Sequence, residues 1–275
     1  MPEGHTIHRL ARDLHATFAG RVVEVSSPQG RFSSGAAVID GTVLHTTDAH
    51  GKHLFLGFGA ATERRWVHVH LGLYGKFRIS PGPAEQPWGE VRMRLATATA
   101  YADLRGPTRC QLVDDTDKLA VHERLGPDPI RGDDPAHALR RISRSRTPIA
   151  VLLMDQKVMA GVGNAYRAEV LFRAGLDPAT PGRDVDPVVL SGIWADLVQL
   201  MNHGVRTGRI DTVRPEHEPD AMGRPPRVDA HGGEVYVYRR TGLPCFLCGT
   251  EIRTREAAAR NLFWCPNCQE PSRQQ

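Results

Sequence analysis

The sequence contains no apolar run as long as a membrane-spanning helix, and its first residues lack the apolar core of a signal peptide. Aromatic residues make up only 6% of its 275 residues, whereas the hydrophobic share of 40% is ordinary for a globular protein. We therefore expect no membrane association and a cytoplasmic location. The formal net charge of +4 favours an anionic partner without identifying it.

Cysteine is scarce, and its odd count of five argues against a disulfide framework in a chain without an export signal. Cys110 stands alone and is expected to be a small buried side chain. The other four form two Cys-x-x-Cys pairs with sixteen residues between them: Cys245, Cys248, Cys265 and Cys268. This spacing is typical of a tetrahedral zinc site, with redox pairs as the alternative. Because four sulfurs leave no position for water, we expect one structural Zn²⁺ per chain.

Hydrophobic periodicity changes along the chain. Residues 3–19 are predicted to form a helix, since apolar residues recur at helical spacing and Gly20 follows. Short apolar runs between turn residues then predict the strands of a sandwich or barrel, at 21–25, 43–45, 53–58, 66–73, 77–79, 90–96 and 98–103. Beyond residue 136 the periodicity is helical, over 137–143, 148–154, 163–175 and 187–203.

These patterns predict a multidomain α+β protein. An N-terminal β-rich domain covers residues 1–123, and a linker crowded with Gly, Pro and Asp covers 124–136. A helical domain follows over 137–234, and its polar, proline-rich segment 205–234 is expected to be a long mobile loop. The cysteine module occupies 235–275.

The stretch between the two cysteine pairs is predicted to be a hairpin with an excess of basic residues. It carries Arg253, Arg255 and Arg260, against only Glu251 and Glu256. Guanidinium groups on a rigid hairpin suit bidentate contacts with phosphates. A solvated basic surface is the alternative.

Five segments together resemble a known family. They are "PEGHT" at 2–6, "GKHL" at 51–54, "HLGLYGKF" at 70–77, "LLMDQKVMAGVGNAYRAEVLF" at 152–172 and "YRRTGLPCFLCGTEI…RNLFWCPNCQ" at 238–269. The chain resembles the formamidopyrimidine-DNA glycosylase/endonuclease VIII family, and its "PEG" opening is closer to the endonuclease VIII branch. The resemblance implies an N-terminal β-sandwich, a helix–two-turns–helix domain and a C-terminal zinc-finger hairpin.

The same resemblance implies a monomeric DNA glycosylase and AP lyase of base excision repair, without an organic cofactor. Its partner would be damaged double-stranded DNA of the chromosome, with single-stranded or bubble DNA as a further possibility to test. A non-catalytic, zinc-dependent damaged-DNA-binding protein is the alternative from another functional class.

Pro2, Glu3 and Lys52 match the family's catalytic positions. After loss of Met1, the secondary amine of Pro2 would attack C1′ of the damaged nucleoside and expel the base. The resulting iminium would break the strand by β,δ-elimination. The resemblance implies that Glu3 protonates the opening sugar and that Lys52 binds phosphate and assists catalysis. Taken alone, the residues also fit a helix-starting proline, a first-turn acid and an exposed lysine.

Four further residues are candidates for phosphate or backbone contacts with DNA: Lys157, Asn164, Arg253 and Arg260. The glycines before Asn164 allow close approach of the backbone to DNA at a helix start. By resemblance, Asn164 holds a phosphate next to the flipped nucleotide, and Arg260 grips phosphates that flank the lesion.

Leu73 and Tyr74 occupy a glycine-flanked segment that suits a wedge. A flipped base leaves a gap in the stack, and apolar or aromatic side chains can fill it. Core packing at a strand end is the alternative interpretation. His68 and His70 alternate with valines and are expected only to share one strand face.

Two departures from the family concern substrate recognition. The segment "DLRGPTRCQLVD" at 103–114 lacks the Arg-x-Phe loop that reads the opposite base in the formamidopyrimidine branch. This favours oxidised pyrimidines, with a glycosylase for oxidised purines as the alternative. His5 and Thr6 stand where members often have Pro-Glu, so any role of an acid at residue 6 is absent.

Overall fold

The computed structural model describes residues 2–228 and 232–269. The chain separates into two units, Met1–Arg124 and Leu125–Gln275, and each has its own hydrophobic core. None of the helices in the described ranges is both long enough and apolar enough to cross a membrane. The predicted fold class is confirmed, because a β-sandwich, a helical part and a four-cysteine hairpin module are all present.

Helix α1 (Gly4–Phe18) opens the N-terminal unit, close to the predicted 3–19. Its buried side chains recur every three or four residues, at Ile7, Ala11, Leu14 and Phe18. The helix ends before Gly20, whose φ of +75° is the left-handed conformation that glycine adopts without steric cost. The apolar stripe thus packs α1 onto the sandwich.

Eight strands form the sandwich: β1 (Arg21–Ser26), β2 (Thr42–His50), β3 (His53–Phe58), β4 (Arg65–His70), β5 (Lys76–Pro81), β6 (Val91–Ala96), β7 (Ala100–Arg105) and β8 (Arg109–Val113). Their order is β5-β7-β6-β1-β2-β3-β4-β8, and all pairings are antiparallel. The first half of β1 pairs with β2, and its second half pairs with β6. One strand therefore belongs to both sheets, which fold over the core.

Three elements of this unit were not predicted: α2 (Ser33–Ile39), β8 and α3 (Asp115–Glu123). Helix α3 buries only Val121, so it has no apolar stripe to detect. It begins where the Asp114 carboxylate accepts the amide of Asp117 at 2.8 Å. Strand β4 ends at His70, three residues earlier than predicted, and β2 extends to His50. A short 3₁₀ turn spans Ala61–Glu63.

The second unit is mainly helical. Its helices are α4 (Ala136–Ile142), α5 (Ile149–Leu152), α6 (Asn164–Arg173), α7 (Pro187–Thr207) and α8 (Pro219–Met222), with 3₁₀ turns at Gly182–Asp184 and Pro215–His217. Residues 124–135 contain neither helix nor strand, and the predicted domain limits stay predictions. Strands β9 (Arg253–Ala257) and β10 (Arg260–Trp264) form the hairpin. Its apolar residues join the helices in a single core.

The segment 205–234 has more order than a structureless loop would have. Helix α7 continues to Thr207, and two short helical turns follow at 215–222. Thr212 is buried, and its hydroxyl donates to the buried carboxylate of Glu169 at 2.5 Å. The same carboxylate accepts the backbone amide of Tyr236 at 2.7 Å. Residues 229–231 lie outside the described ranges, and the mobility of the segment stays a prediction.

Candidate functional site

Pro2 and Glu3 lead directly into α1. Glu3 has extended backbone geometry, and its carbonyl oxygen accepts the amides of Thr6 at 3.0 Å and Ile7 at 3.4 Å. Glu3 is only 1% exposed, whereas Pro2 is half-buried. A half-buried proline and a fully buried carboxyl are therefore adjacent just before this helix.

The direction of α1 determines where these two residues lie. The helix runs antiparallel along β2, since the amide of Gly20 donates to Leu44 at 2.8 Å and the hydroxyl of Thr47 donates to the Ala11 carbonyl at 2.7 Å. Moving backward along α1 therefore corresponds to moving forward along β2. The beginning of the helix lies toward the end of β2 that continues into β3.

Lys52 occupies the turn that joins those two strands. It is half-buried and follows Gly51, whose φ of +57° favours glycine. Its positive charge reaches His70 on β4, whose pKa is lowered mainly by burial and further by Lys52. The structure thus brings Pro2, Glu3 and Lys52 toward one end of the sandwich.

The predicted wedge residues lie on a tight turn between β4 and β5. Leu73 is 44% exposed and Tyr74 is 86% exposed, so neither is a core residue. Gly72 has a φ of +69°, and a Cβ atom there would lie 2.3 Å from the side chain of Thr108. Only glycine fits at that position, which sets the path of the turn and leaves both apolar side chains projecting.

A cross-strand row places this turn at the same sheet edge as Lys52. Residues in register across β2, β3, β4 and β8 are His50, His53, His70 and Arg109. The row marks the ends of these strands. The Lys52 turn, the wedge turn and the short connection 106–108 all leave the sheet next to it.

Histidines in this row form hydrogen-bonded pairs with histidines behind them. The Nδ1 atom of His53 lies 2.8 Å from Nε2 of His68, and the Nδ1 atoms of His50 and His122 are 3.0 Å apart. Phe55 stacks on His68 with ring centroids 4.6 Å apart. Burial is the main reason that the pKa values of His53 and His68 fall to about 3 each. His53 and His68 are therefore neutral rings at pH 7, and they lie in the sheet beside the Lys52 turn.

His68 and His70 share one face of β4, as predicted, but their partners on β3 were missed. The sequence carried a signal, because His50 and His53 flank the turn and His68 and His70 recur at a spacing of two. Only the register of β3 against β4 shows that these positions meet. His5, on α1, is also buried, and burial lowers its pKa to about 4.

In the second unit, Asn164 is the first residue of α6 and is buried. Its amide nitrogen donates to the carbonyl of Asn261 on β10 at 2.9 Å. Its amide oxygen accepts from the buried guanidinium of Arg167, which also donates to the Asn261 carbonyl at 3.2 Å. These bonds join the glycine-rich segment before α6 to the hairpin. Arg167 was missed from the sequence, although it lies in the recognised motif.

Lys157 lies on the exposed turn that precedes the glycine-rich segment. Its backbone amide donates to Asp155 at 2.9 Å, and its carbonyl accepts from Arg141 at 3.1 Å. The backbone is thus fixed at both groups while the side chain extends outward. This geometry is compatible with a contact to an anionic surface.

The four predicted cysteines come together, and their Sγ atoms all lie within 4.8 Å of one another. Sγ atoms are 3.8 Å apart in the pair Cys245 and Cys268, and 3.5 Å apart in the pair Cys248 and Cys265, too far for disulfide bonds. Tetrahedral Zn–S bonds of about 2.3 Å place sulfurs about 3.8 Å apart. The donor set therefore fits a zinc ion. Cys110 lies elsewhere, buried as predicted.

The hairpin presents its arginines to solvent. Arg253, Arg255 and Arg260 are all exposed, and none of them forms an ion pair with another residue in the described ranges. Arg255 lies over the ring of Trp264, 5.2 Å from its centroid. Arg260 directly follows the turn at Ala258 and Ala259, so its position depends on that turn.

Models of three protein domains match this chain. The formamidopyrimidine-DNA glycosylase N-terminal domain matches residues 1–110, and the H2TH domain of the same glycosylase matches 125–215. The zinc finger found in FPG and IleRS matches 242–271. Each region coincides with one of the structural parts described above.

Relatives match over almost the whole chain. A Mycobacterium tuberculosis protein named endonuclease 8 1 is 50% identical over 277 residues, covering 98% of this chain and 100% of the relative. The Mycolicibacterium smegmatis DNA-(apurinic or apyrimidinic site) lyase Nei2 is 31% identical over 279 residues, covering 99% and 100%.

Solved structures share the fold. A complex of a Lactococcus lactis FPG mutant with DNA containing Fapy-dG has a TM-score of 0.80 at 20% identity, covering 98% of this chain and 100% of that one. The MutM (FPG) protein of Thermus thermophilus has a TM-score of 0.74 at 25% identity, covering 98% of both chains.

Proposed function

Because this chain belongs to the formamidopyrimidine-DNA glycosylase/endonuclease VIII family, we propose that it is a DNA glycosylase and AP lyase that repairs oxidised bases. The observation that carries the proposal is the arrangement at one end of the N-terminal sandwich. Pro2 and the shielded Glu3 begin α1 there, on the side of the Lys52 turn and of the projecting Leu73 and Tyr74. The 50% identity to a protein named endonuclease 8 1 supports the endonuclease VIII branch.

In the proposed reaction, removal of Met1 frees the secondary amine of Pro2. This nitrogen attacks C1′ of the damaged nucleoside, the C1′–base bond breaks, and the base leaves with the bonding electrons. The attacking nitrogen loses its proton, which the departing base takes up. Glu3 protonates the ring oxygen as the C1′–O4′ bond breaks, and the nitrogen lone pair then forms the iminium. Loss of the C2′ proton then expels the 3′ phosphate, and a second elimination expels the 5′ phosphate.

Lys52, Leu73 and Tyr74 have supporting roles in this proposal. The Lys52 ammonium binds a backbone phosphate next to the lesion, which fixes C1′ relative to the Pro2 nitrogen. Leu73 and Tyr74 enter the space vacated by the flipped base, a role that their exposure supports. The short connection 106–108 leaves no extended loop to read the opposite base, which favours oxidised pyrimidines over oxidised purines.

The second unit supplies the remaining proposed DNA contacts. Asn164, Lys157, Arg253 and Arg260 bind phosphates, and one Zn²⁺ on the four cysteines holds the hairpin that carries the two arginines. The ion is structural and takes no part in the chemistry, because four thiolates complete its coordination. We propose a monomer without an organic cofactor, located in the cytoplasm with the chromosomal DNA.

Borohydride trapping tests the nucleophile. Purified zinc-loaded protein is incubated with duplexes containing an abasic site, thymine glycol, a hydroxylated cytosine or an oxidised guanine. We expect a covalent adduct that maps to Pro2, strongest with abasic and pyrimidine lesions, and intact mass should show that Met1 is absent. Tight binding with a free Pro2 but no adduct on any duplex would support the non-catalytic alternative.

Glu3→Gln tests the division of labour within the same assay. The variant keeps the side-chain volume but cannot donate the proton, so base excision should fall by about 10²- to 10⁴-fold. Cleavage of a pre-formed abasic site should fall less than tenfold, because no base has to leave. Equal losses in the two steps would contradict the role given to Glu3.

A further inference from the structure

Trp88 is the largest side chain that the N-terminal unit leaves in contact with solvent. It lies in the connection 82–90 between β5 and β6 and is 73% exposed. A single exposed apolar side chain is common on protein surfaces, so the groups that hold Trp88 in place carry the argument.

The exposed ring is nevertheless held in place. The Trp88 carbonyl accepts from the guanidinium of Arg105 at 3.4 Å, and the Glu85 carbonyl accepts from Arg94. Both guanidinium groups bind the buried carboxylate of Asp103, at 2.9 Å from Arg105 and 2.7 Å from Arg94. A buried ion-pair network therefore fixes the connection at two points and presents Trp88 outward.

Arg105 also stacks on the tryptophan. The centre of its guanidinium lies 4.4 Å from the Trp88 ring centroid, in cation–π geometry. Since Arg105 is itself tied to Asp103, one side of the indole is supported by an ordered cation. The exposed remainder of the ring is a pre-formed surface on which a flat group can stack.

The neighbouring surface is positively charged. In the register of β5 against β7, Lys76 lies opposite Arg105 and Arg78 lies opposite Asp103, so both exposed cations share the face of Arg105. Four cations lie near three acids here: Lys76, Arg78, Arg94 and Arg105 near Asp103 and the connection's Glu85 and Glu90. The excess of positive charge beside an aromatic ring complements a nucleotide, which combines a flat base with a phosphate.

This surface adjoins the wedge turn. Lys76 begins β5 directly after that turn, and a Cβ atom on Gly106 would lie 3.9 Å from the carbonyl oxygen of Tyr74. Arg105, the last residue of β7, therefore lies between the Trp88 ring and the wedge turn. A strand whose bases are already unpaired would offer free faces to the indole, whereas a fully paired duplex hides them.

We propose that Trp88, backed by Arg105, is a stacking site for an unpaired base of the DNA substrate next to the lesion. The proposal rests on the proposed function and deepens it, because it makes single-stranded and bubble DNA preferred partners of this surface. Lys76 and Arg78 bind the phosphates of the same strand. The site makes binding of unpaired DNA tighter than binding of paired DNA, and it leaves the reaction at Pro2 unchanged.

Equilibrium binding of Trp88→Ala provides the test. The probes are one sequence with a tetrahydrofuran abasic analogue, as a single strand, inside a bubble and in a full duplex. Loss of one stacked base should weaken binding to the single strand and bubble by about 5- to 100-fold. Duplex binding should change less than threefold, and Trp88→Phe should retain most of the affinity.

Two controls separate stacking from general damage. Val188→Ala removes another exposed apolar side chain, on α7, and should leave all three affinities unchanged. Subtracting the Trp88→Phe fluorescence from that of the wild type should reveal quenching of Trp88 by the single strand. Equal weakening on all three probes, no weakening at all, or tighter binding of an RNA strand of the same sequence would overturn the proposal.

The proposed function can fail independently of this inference. Borohydride trapping of the abasic duplex reports on Pro2, and Trp88→Ala should trap that duplex as efficiently as the wild type. Absence of trapping in the wild type would refute the proposed enzymatic activity, whereas the binding comparison between Trp88→Ala and the wild type would remain valid. If trapping is normal but Trp88→Ala weakens binding equally on the single strand, the bubble and the duplex, only the stacking site would be refuted.

Discussion

Asn164 has its side-chain amide engaged on both sides, by Asn261 and by Arg167. A buried amide with two partners has one orientation, so α6 and β10 keep a defined relation at this point. Arg167 contacts the Asn164 side chain and the hairpin carbonyl, so in the proposed function it is a positioning residue for Asn164. Its guanidinium is buried and binds other groups of the protein, whereas the guanidinium groups of Arg253 and Arg260 are exposed.

The paired histidines give the N-terminal unit a dependence on acid. The folded pKa values of His53 and His68 are about 3, against 6.5 in an unfolded chain. Below pH 6.5 the unfolded state binds protons that the folded state does not, so stability falls as pH falls. The loss should reach up to about 1.4 kcal/mol per pH unit for each histidine.

Urea denaturation at pH 7.5, 6.0 and 5.0 measures this effect. Burial lowers the pKa of His68 most, and Arg109, His70, Arg124 and His122 lower it further, while His53 shares a hydrogen bond with it. His68→Gln keeps a polar side chain that does not titrate and should flatten the dependence of unfolding free energy on pH. The matched control His45→Gln changes an exposed histidine of β2 and should leave the slope as in the wild type. An unchanged slope in His68→Gln would refute the linkage.

At the scale of the element, the turn of the β9–β10 hairpin departs from its usual sequence. Ala258 and Ala259 have φ values of 52° and 55°, so both central residues are left-handed. Such two-residue turns match the twist of a hairpin but favour Asn-Gly, because a Cβ atom is strained there. The paired strands β9 and β10, with Ala257 opposite Arg260, close this turn.

Replacing Ala258 by Asn and Ala259 by Gly should therefore stabilise the second unit. Relief of the left-handed strain is worth about 1–2 kcal/mol, offset in part by the greater freedom of glycine when unfolded. Thermal unfolding of zinc-loaded protein should show a higher Tm. As a control, Ala257→Gly puts glycine inside β9, where it should lower the Tm. A decrease in both variants would show that the turn carries no strain.

At the scale of the whole molecule, the cysteine cluster matters to one unit and not to the other. The core of the second unit contains Cys245 and Cys265 together with residues of α6 and α7, whereas the sandwich has a separate core. Metal binding supplies folding free energy to a module this small. Loss of the metal should therefore unfold the hairpin and weaken the helical core.

Cys265→Ser tests this separation. A chromophoric chelator should show loss of about one zinc per chain, and limited proteolysis should cut the second unit while a fragment ending near Arg124 survives. Specific DNA binding should disappear. In the matched control, Cys110→Ser puts a hydroxyl at a buried site of the sandwich and should keep its zinc. Unchanged DNA binding by zinc-free Cys265→Ser would refute the DNA role of the hairpin.

Features carried by local spacing were predictable. The two Cys-x-x-Cys pairs anticipated the four-sulfur cluster, and the apolar repeats anticipated α1, α4, α6 and α7. Polar elements such as α3 and the edge strand β8 escaped, because they bury too little to leave a pattern. The motif alone also left open whether Leu73 packs in the core or projects from the turn as a wedge.

Residue spacing predicted the α+β fold class and the cysteine cluster, because both depend on local patterns, and five motifs carried the resemblance to the family. The folded structure was needed to show that Leu73, Tyr74 and Trp88 project into solvent, that His53 meets His68, and that Asn164 binds Asn261. These relations depend on strand register and on packing between segments far apart in the chain. A shift of one residue in register would reverse which side chains face the core, and no local pattern records that choice.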